Sequence, residues 1–221
     1  MIFENVKEVE INSLNGKINI KAWDNAYAEV SYILHGEVEV ETEQKNSKLI
    51  IREKPKKRKV LGVFSKSSNG WAEIEIKVPK GTPVKARNVN GELKAEGVTF
   101  KEAITVNGTL EINGYTVERL SSVNGTIKAH LAIAGPLNVT TVNGNVELTI
   151  EDLEGNVSIG TVNGDVKLYL TDFCDAKISV KKRVNGSINL IGIDEEEPII
   201  GAGTFEVSVG TVNGDARVEV I

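Results

Sequence analysis

Few residues of this 221-residue chain are of the types that carry out acid–base, nucleophilic or metal chemistry. His35 and His130 are its two histidines, and Cys174 is its one cysteine. The acidic neighbours Asp172 and Asp175 oppose formation of a thiolate at Cys174. A structural zinc site takes about four Cys or His ligands. We therefore predict that the chain is not an enzyme, has no catalytic residues and needs no cofactor.

Carboxylates are the strongest candidates for ion binding. The chain contains a repeated Val-Asn-Gly motif, and the segments between successive copies vary in length. Nine carboxylates fall in three successive segments of this kind, and they would meet if the segments lay on one edge of the fold. Such an edge would offer Ca²⁺ its preferred oxygen ligands, or receive a basic partner. No calcium-loop spacing occurs, and solvated loops usually carry charge, so we predict no metal site. The residues concerned include Asp152, Asp172, Asp175, Asp194 and Glu195.

Two basic segments are the candidate partner-binding sites. The first, the basic insert 54–70, surrounds an apolar stretch with positive charge, which suits either a solvated hairpin loop or a finger that docks on an anionic surface or acidic partner. The second lies in a repeat that has four steps, where others have three, from the last inward residue before the corner to the valine of the Val-Asn-Gly motif. One extra residue is typical of a β-bulge, and the segment could contact an anion. The residues are Lys56, Lys57, Arg58, Lys59, Leu61 and Phe64 in the insert, and Lys181, Lys182 and Arg183 in the second segment.

A repeated Val-Asn-Gly motif organises the elements that must position these groups. Successive asparagines are 17, 17, 19, 20, 22 and 28 residues apart, and such a period is typical of repeat architectures. We predict that they form structural corners. They are Asn90, Asn107, Asn124, Asn143, Asn163, Asn185 and Asn213.

Aliphatic residues recur in three columns when the repeats are superimposed. One is the valine before each asparagine, and the others lie two and four residues after each glycine, with polar residues between them. This alternation predicts strands with one buried face. We predict an all-β fold, a single-stranded β-solenoid (β-helix-like) with about seven repeats. The alternative is a hairpin-built β-sandwich in which each Asn-Gly is a two-residue turn. Length variation confined to one part of the repeat favours the solenoid.

The N-terminal region is also rich in alternating strands. We predict that residues 1–87 form a mixed or antiparallel β region that caps the stack, and that residues 88–221 form the repeat solenoid. Asn15-Gly16 is either a degenerate copy of the corner or a hairpin turn. The last repeat, Val212 to Ile221, stops in mid-strand, which predicts self-association through a C-terminal edge strand and hence a homo-oligomer.

Composition limits the other classes of function. The net charge of −5 argues against nucleic-acid binding. We find neither a signal-peptide pattern nor a membrane-length apolar stretch, so we expect a cytoplasmic protein that is not transmembrane. One cysteine and little methionine or glutamine, beside abundant glutamate and lysine, suggest a thermostable protein.

Two stretches carry a resemblance to a known family. Val-Glu-Ile-Asn-Ser-Leu-Asn-Gly-Lys-Ile-Asn-Ile at 9–20 and Ile-Glu-Ile-Lys-Val-Pro-Lys-Gly at 74–81, followed by glycine-centred repeats, resemble the "putative adhesin" β-strand-repeat family of unknown function. The resemblance implies a β-helix-like fold and a non-enzymatic scaffold or interaction protein. The alternatives are a carbohydrate-binding or carbohydrate-active β-helix, and a membrane-surface or envelope-stress-related binding module.

Overall fold

The computed structural model describes residues 1–60, 63–66, 70–181 and 185–221. These residues form strands and no helix, and therefore no helix that could cross a lipid bilayer. The N-terminal strands are β1 (Ile2–Glu4), β2 (Glu8–Ser13), β3 (Lys17–Trp23), β4 (Tyr27–Gly36), β5 (Val38–Lys45), β6 (Lys48–Pro55), β7 (Lys57–Val60), β8 (Val63–Lys66) and β9 (Gly70–Pro79). They are followed by β10 (Pro83–Val117), β11 (Arg119–Asn124), β12 (Ile127–Ala134), β13 (Leu137–Asn143), β14 (Val146–Leu153), β15 (Val157–Asn163), β16 (Val166–Leu170), β17 (Ala176–Val180), β18 (Ile188–Ile191), β19 (Ile199–Ile200), β20 (Phe205–Asn213) and β21 (Ala216–Val220).

The strands that flank an Asn-Gly pair with the next repeat. β13 pairs in parallel with β15, so that Val139 lies opposite Ile159, and β14 pairs in parallel with β16, so that Leu148 lies opposite Leu168. A hairpin would instead pair β13 with β14 in antiparallel fashion. The hairpin-built sandwich is therefore wrong, and the fold is a solenoid-like stack. Each repeat is one layer, with a first-arm strand before the corner and a second-arm strand after it.

Alternate residues of each strand point inward, and their aliphatic side chains fill the space between the two arms. Val139, Ile159, Leu148 and Leu168 are almost completely buried. The described valines of the Val-Asn-Gly motif are not part of this core. Val142 is 41% exposed, Val123, Val162 and Val212 are similar, and Val89 and Val106 are half-buried. In the repeats whose corners are fully described, the residue before the valine points inward instead, as Thr141 does.

Buried hydroxyl groups hold the layers together at the corners. Thr161 Oγ1 donates to the carbonyl of Gly144, at 3.1 Å, and Thr211 Oγ1 donates to that of Gly164, at 3.0 Å. Because side chains alternate along a strand, an inward threonine places the next residue, the valine, outward. Thr161 and the next inward residue, Val166, are five residues apart, so the corner breaks the period of two and leaves the valine column outside the core.

The predicted corner asparagines form one continuous ladder. Asn107 Nδ2 donates to Asn90 Oδ1 at 2.8 Å, and Asn124 Nδ2 donates to Asn107 Oδ1 at 2.9 Å. The same bond joins Asn90 to Asn15, which shows that Asn15-Gly16 is a copy of the corner. Glycine is required beside the ladder, because a Cβ at Gly108 would lie 1.7 Å from the backbone oxygen of the layer below. The remaining ladder bonds join Asn143 to Asn124, Asn163 to Asn143, Asn213 to Asn163 and Asn185 to Asn213.

The last layer does not lie at the end of the stack. β20 pairs with β15 on one side and with β17 on the other, and β21 lies between β16 and β18. The prediction of a C-terminal edge strand is therefore wrong. The edge at this end belongs to the preceding repeat, because the chain first lays down β17 and β18 and then returns.

The N-terminal end is closed by antiparallel strands. β4 pairs with β9, β5 pairs with β6, and β1 pairs with β4, all antiparallel. β2 pairs in parallel with β10 and with β6, and β3 pairs in parallel with β10 and with β9. β6 and β9 therefore form one layer of the stack, the β6–β9 layer. The predicted division at 87/88 lies within β10, and the division into two domains stays a prediction. The basic insert contains the hairpin β7–β8 and stands where the β6–β9 layer would have its corner.

Candidate functional site: a groove on the second arm

The outer face of the second arm carries a groove. Its volume is about 680 Å³. Its apolar lining residues are Ala95 and the almost completely buried Ile20 and Ile76, and its polar lining residues lie at outward positions of β3, β9 and β10. The polar lining residues are Asn19, Lys21, Glu75, Lys77, Lys94, Glu96, Glu111 and Asn113.

An aromatic pair stands beside the groove. The rings of Trp23 and Tyr27 meet edge to face, with centroids 4.9 Å apart and planes at 79°. Trp23 Nε1 donates to the Tyr27 carbonyl at 2.8 Å. Lys77, which lines the groove, places its Nζ 5.1 Å from the centre of a Trp23 ring and 3.2 Å from Glu29 Oε1. These contacts fix the orientation of the indole and its apolar surface.

Charges in the groove are paired across neighbouring strands. Lys21 Nζ lies 2.8 Å from Glu96 Oε2, and Lys94 Nζ lies 3.1 Å from Glu111 Oε2 and 3.2 Å from Glu92 Oε1. The hydrogen bond to Glu96 raises the pKa of Lys21, and those to Glu111 and Glu92 raise the pKa of Lys94. Both lysines are therefore charged at neutral pH. The groove presents donors and acceptors in equal measure and has no strong net field.

A second aromatic group lies further along the outer face of the second arm. His35 stacks on Trp71 with ring centroids 4.0 Å apart and planes at 13°. Lys17 Nζ lies 5.5 Å from a Trp71 ring centre. Trp71, Glu73, Glu75 and Lys77 occupy alternate outward positions of β9, so one strand links the two aromatic groups.

The partner-binding residues predicted in the basic insert are described only in part. Lys56 is exposed, and its amide donates to the Glu37 carbonyl at 3.0 Å. Leu61 lies outside the described residues. Lys57, Arg58 and Lys59 belong to β7, and Phe64 belongs to β8.

The second basic segment is only partly described. Lys181 lines a shallow cavity of about 400 Å³ on the first arm together with Glu118, Asn138 and Glu206. Lys182 and Arg183 lie outside the described residues. Val180 pairs with Val209 and the next pairing joins Asn185 to Asn213. The register therefore confirms one extra residue in this repeat.

The acidic residues make separate local contacts. Asp152 Oδ1 accepts from the amide of Leu153 at 2.7 Å, and Asp194 Oδ1 accepts from that of Glu196 at 2.8 Å. The carboxylate of Asp175 accepts hydrogen bonds from the Ala202 amide and the Thr204 hydroxyl. Asp172 and Glu195 are exposed. In the described part of the chain, no three His, Cys, Asp or Glu side chains are placed to hold a metal ion.

Cys174 lies in the core, and His130 lies at the surface beside a carboxylate. Cys174 is buried, and its thiol lies 3.6 Å from the carbonyl of Ile150. Burial raises the pKa of this thiol, so it is mainly protonated at neutral pH. His130 Nε2 lies 2.7 Å from Glu151 Oε1 at the surface.

Glu53 is an important residue that the sequence analysis did not identify. Although it is only 4% exposed, its carboxylate accepts from the Ser13 hydroxyl, from the Leu14 amide at 2.9 Å and from the Asn15 amide at 3.1 Å. In other layers the asparagine amide donates to the backbone of the layer below, as Asn90 does to Leu14. Glu53 replaces that acceptor, because its own layer has the basic insert in place of a corner. The alternation of β6 indicated an inward Glu53, and this was the available signal.

Comparison with known proteins identifies the family. Residues 6–121 match the family model Toastrack DUF4097. The chain belongs to the Toastrack family. The resemblance of this Toastrack chain to putative adhesins is also confirmed, since a solved protein of that name shares its fold.

Two solved structures illustrate the likeness. One is a putative adhesin from Bacteroides fragilis, with 14% identity over 100% of this chain and 96% of that chain and a TM-score of 0.54. The other is a putative cell adhesion protein from Clostridium sporogenes, with 19% identity over 99% of this chain and 94% of that chain and a TM-score of 0.42. The first likeness shows a common fold. A search of curated proteins gives no match.

Proposed function

We propose that this Toastrack chain is a non-enzymatic, adhesin-like recognition scaffold that binds carbohydrate in the groove of the second arm. In this proposal the seven Val-Asn-Gly repeats form a single-stranded β-solenoid, whose hydrogen-bonded layers keep the groove rigid. The observation that carries the proposal is the placement of the Trp23–Tyr27 pair beside a groove lined with paired lysines and glutamates.

The chemistry of the groove suits a sugar chain. Pyranose rings have an apolar C–H face, which packs on an indole, and hydroxyl groups, which exchange hydrogen bonds with amide, ammonium and carboxylate groups. Asn19, Asn113, Lys94 and Glu111 supply such groups along the groove. Because the charges are paired, a neutral saccharide fits better than a strongly charged polymer.

Binding to a panel of neutral oligosaccharides and polysaccharides, measured by calorimetry, tests this proposal. We expect saturable binding without release of sugar, and Trp23→Ala should weaken it at least tenfold, about 1.4 kcal/mol. Trp71→Ala is the matched control. A Trp23 ring lies 5.1 Å from Nζ of the groove residue Lys77, whereas Trp71, on the same face, has Lys17 over its ring, and Lys17 does not line the groove. Melting curves of both variants establish that the fold persists.

Several results would overturn the proposal. They are absence of binding across the panel, an equal loss with Trp23→Ala and Trp71→Ala, or hydrolysis of the bound sugar. The membrane-surface alternative remains separate: it predicts binding to anionic vesicles that is lost on removal of the basic insert 54–70. Cytoplasmic location and thermostability stay predictions.

A further inference from the structure

The order of the layers at the C-terminal end differs from their order in the chain. The ladder passes from Asn163 to Asn213, 50 residues later, and then back to Asn185, 28 residues earlier. The C-terminal layer, β20 and β21, therefore occupies a slot between the β15–β16 layer and the β17–β18 layer. The slot is filled only when the last residues of the chain arrive.

The slot binds the C-terminal layer along both arms. On the first arm, Val207 and Val209 pair with Val157 and Ile159 of β15, and with Ile178 and Val180 of β17. On the second arm, β21 pairs with β16 and β18. Val207, Val209, Ala216 and Val218 are all at most 1% exposed. An empty slot would leave two strand edges on each arm without their hydrogen-bond partners, those of β15 and β17 and those of β16 and β18, and such edges recruit other strands.

A short surface segment connects the C-terminal layer to the rest of the chain. Ala176 of β17 pairs with Ile200 on one side and with Phe205 on the other. Residues 201–204 therefore carry the chain across the end of β17. Gly201 and Gly203 have φ angles of 64° and 69°, and glycine leaves such positions easily for other conformations. We call residues 201–204 the hinge.

We propose that residues 205–221 are an exchangeable strand pair, which can leave its own slot and fill the slot of a second copy of this chain to form an intertwined homodimer. Each slot keeps the same strand pairs and buried side chains, so exchange changes only the conformation of the hinge. Asp175 opposes exchange, because it holds both Ala202 and Thr204 of the hinge. The predicted self-association is thereby assigned to exchange of the C-terminal layer in place of an edge.

Two mixed-chain cysteine experiments test the exchange. Lys167 of β16 lies opposite Arg217 of β21, and both are exposed, so Lys167→Cys on one chain and Arg217→Cys on another meet only in an exchanged dimer. Neighbouring strands bring Cα atoms to within the range of a disulfide. The matched control is Glu147→Cys with Lys167→Cys, which are also in register and exposed but belong to layers that are not exchanged.

The two chains of each set are mixed, unfolded, refolded at low and high protein concentration, and oxidised. We expect a mixed disulfide-linked dimer that increases with concentration for the 167–217 set and exceeds the 147–167 set severalfold. Asp175→Ala should increase it further. The proposal is overturned if the two sets give equal amounts of mixed dimer at every concentration.

A single chain carrying both Lys167→Cys and Arg217→Cys provides a second test. Oxidation of its folded monomer closes the slot, and circular dichroism checks that the fold is retained. We expect the oxidised form to stay monomeric at concentrations at which the reduced form, after refolding, contains dimer. If both forms dimerise equally, another surface is responsible, and if neither dimerises, exchange does not occur; either result overturns the proposal.

Discussion

The two ends of the stack are both stabilised by a carboxylate, but in different surroundings. Near the N-terminal end, the buried Glu53 accepts from one hydroxyl and two backbone amides of the neighbouring corner. Near the C-terminal end, Asp175 lies at the surface and binds Ala202 and Thr204 of the hinge. A buried group has no water to replace a lost partner, whereas a surface group does. Similar bonds should therefore contribute very different amounts of stability at the two ends.

Removal of Glu53 is the strongest test of this comparison. We expect Glu53→Ala to lower the free energy of unfolding by about 2–4 kcal/mol, because it leaves three donors of Ser13, Leu14 and Asn15 without their buried acceptor. Urea unfolding measures the change. Glu53→Gln is the matched control and should lose less, since it keeps a carbonyl oxygen. Equal urea midpoints for Glu53→Ala and the unmodified chain would contradict the role assigned to Glu53.

Removal of a ladder asparagine should lower the free energy of unfolding by an intermediate amount, which depends on the position of the asparagine in the stack. Asn163 donates to Asn143 and accepts from Asn213, whereas Asn185 donates to Asn213 at the end of the stack. Both are exposed, so each bond contributes little: we expect a loss of about 1 kcal/mol for Asn163→Ala and about 0.5 kcal/mol for Asn185→Ala. Urea unfolding of the two variants measures the difference. The reverse order would show that ladder bonds do not determine stability here.

Substitution of Asp175 should have the smallest effect on stability, and this effect should depend on pH. The hydroxyl of Thr204 and the amide of Ala202 hold the pKa of Asp175 below its ordinary value of 3.8. A carboxyl with a lowered folded-state pKa stabilises the protein above its unfolded-state pKa, and this contribution is lost as the pH falls through the folded-state pKa. The melting temperature of Asp175→Asn should thus be slightly lower than that of the unmodified chain at neutral pH. The difference should shrink as the pH falls below 3.8. A difference that is constant down to strongly acidic pH would exclude this linkage.

The candidate site was only partly predictable from the sequence. Alternation along β9 was evident, so the outward positions of Glu73, Glu75 and Lys77 followed from period two alone. The groove itself requires β3, β9 and β10 to lie side by side, and residues as distant as Asn19 and Asn113 to meet. Period two along β3 also places Trp23 on the outward face with Lys21, but no local signal shows that this face forms a groove.

The sequence by itself determined the repeating unit of this protein, because its causes are local. An Asn-Gly corner every 17 to 28 residues and alternation of buried and exposed residues indicate stacked strands whatever the rest of the chain does. Only the tertiary structure decided the order of the layers. Every layer presents nearly the same hydrogen-bonding edges and the same corner, so pairing preferences do not distinguish neighbours. The path of residues 192–204 does, by returning β20 and β21 to the slot beside β15 and β16.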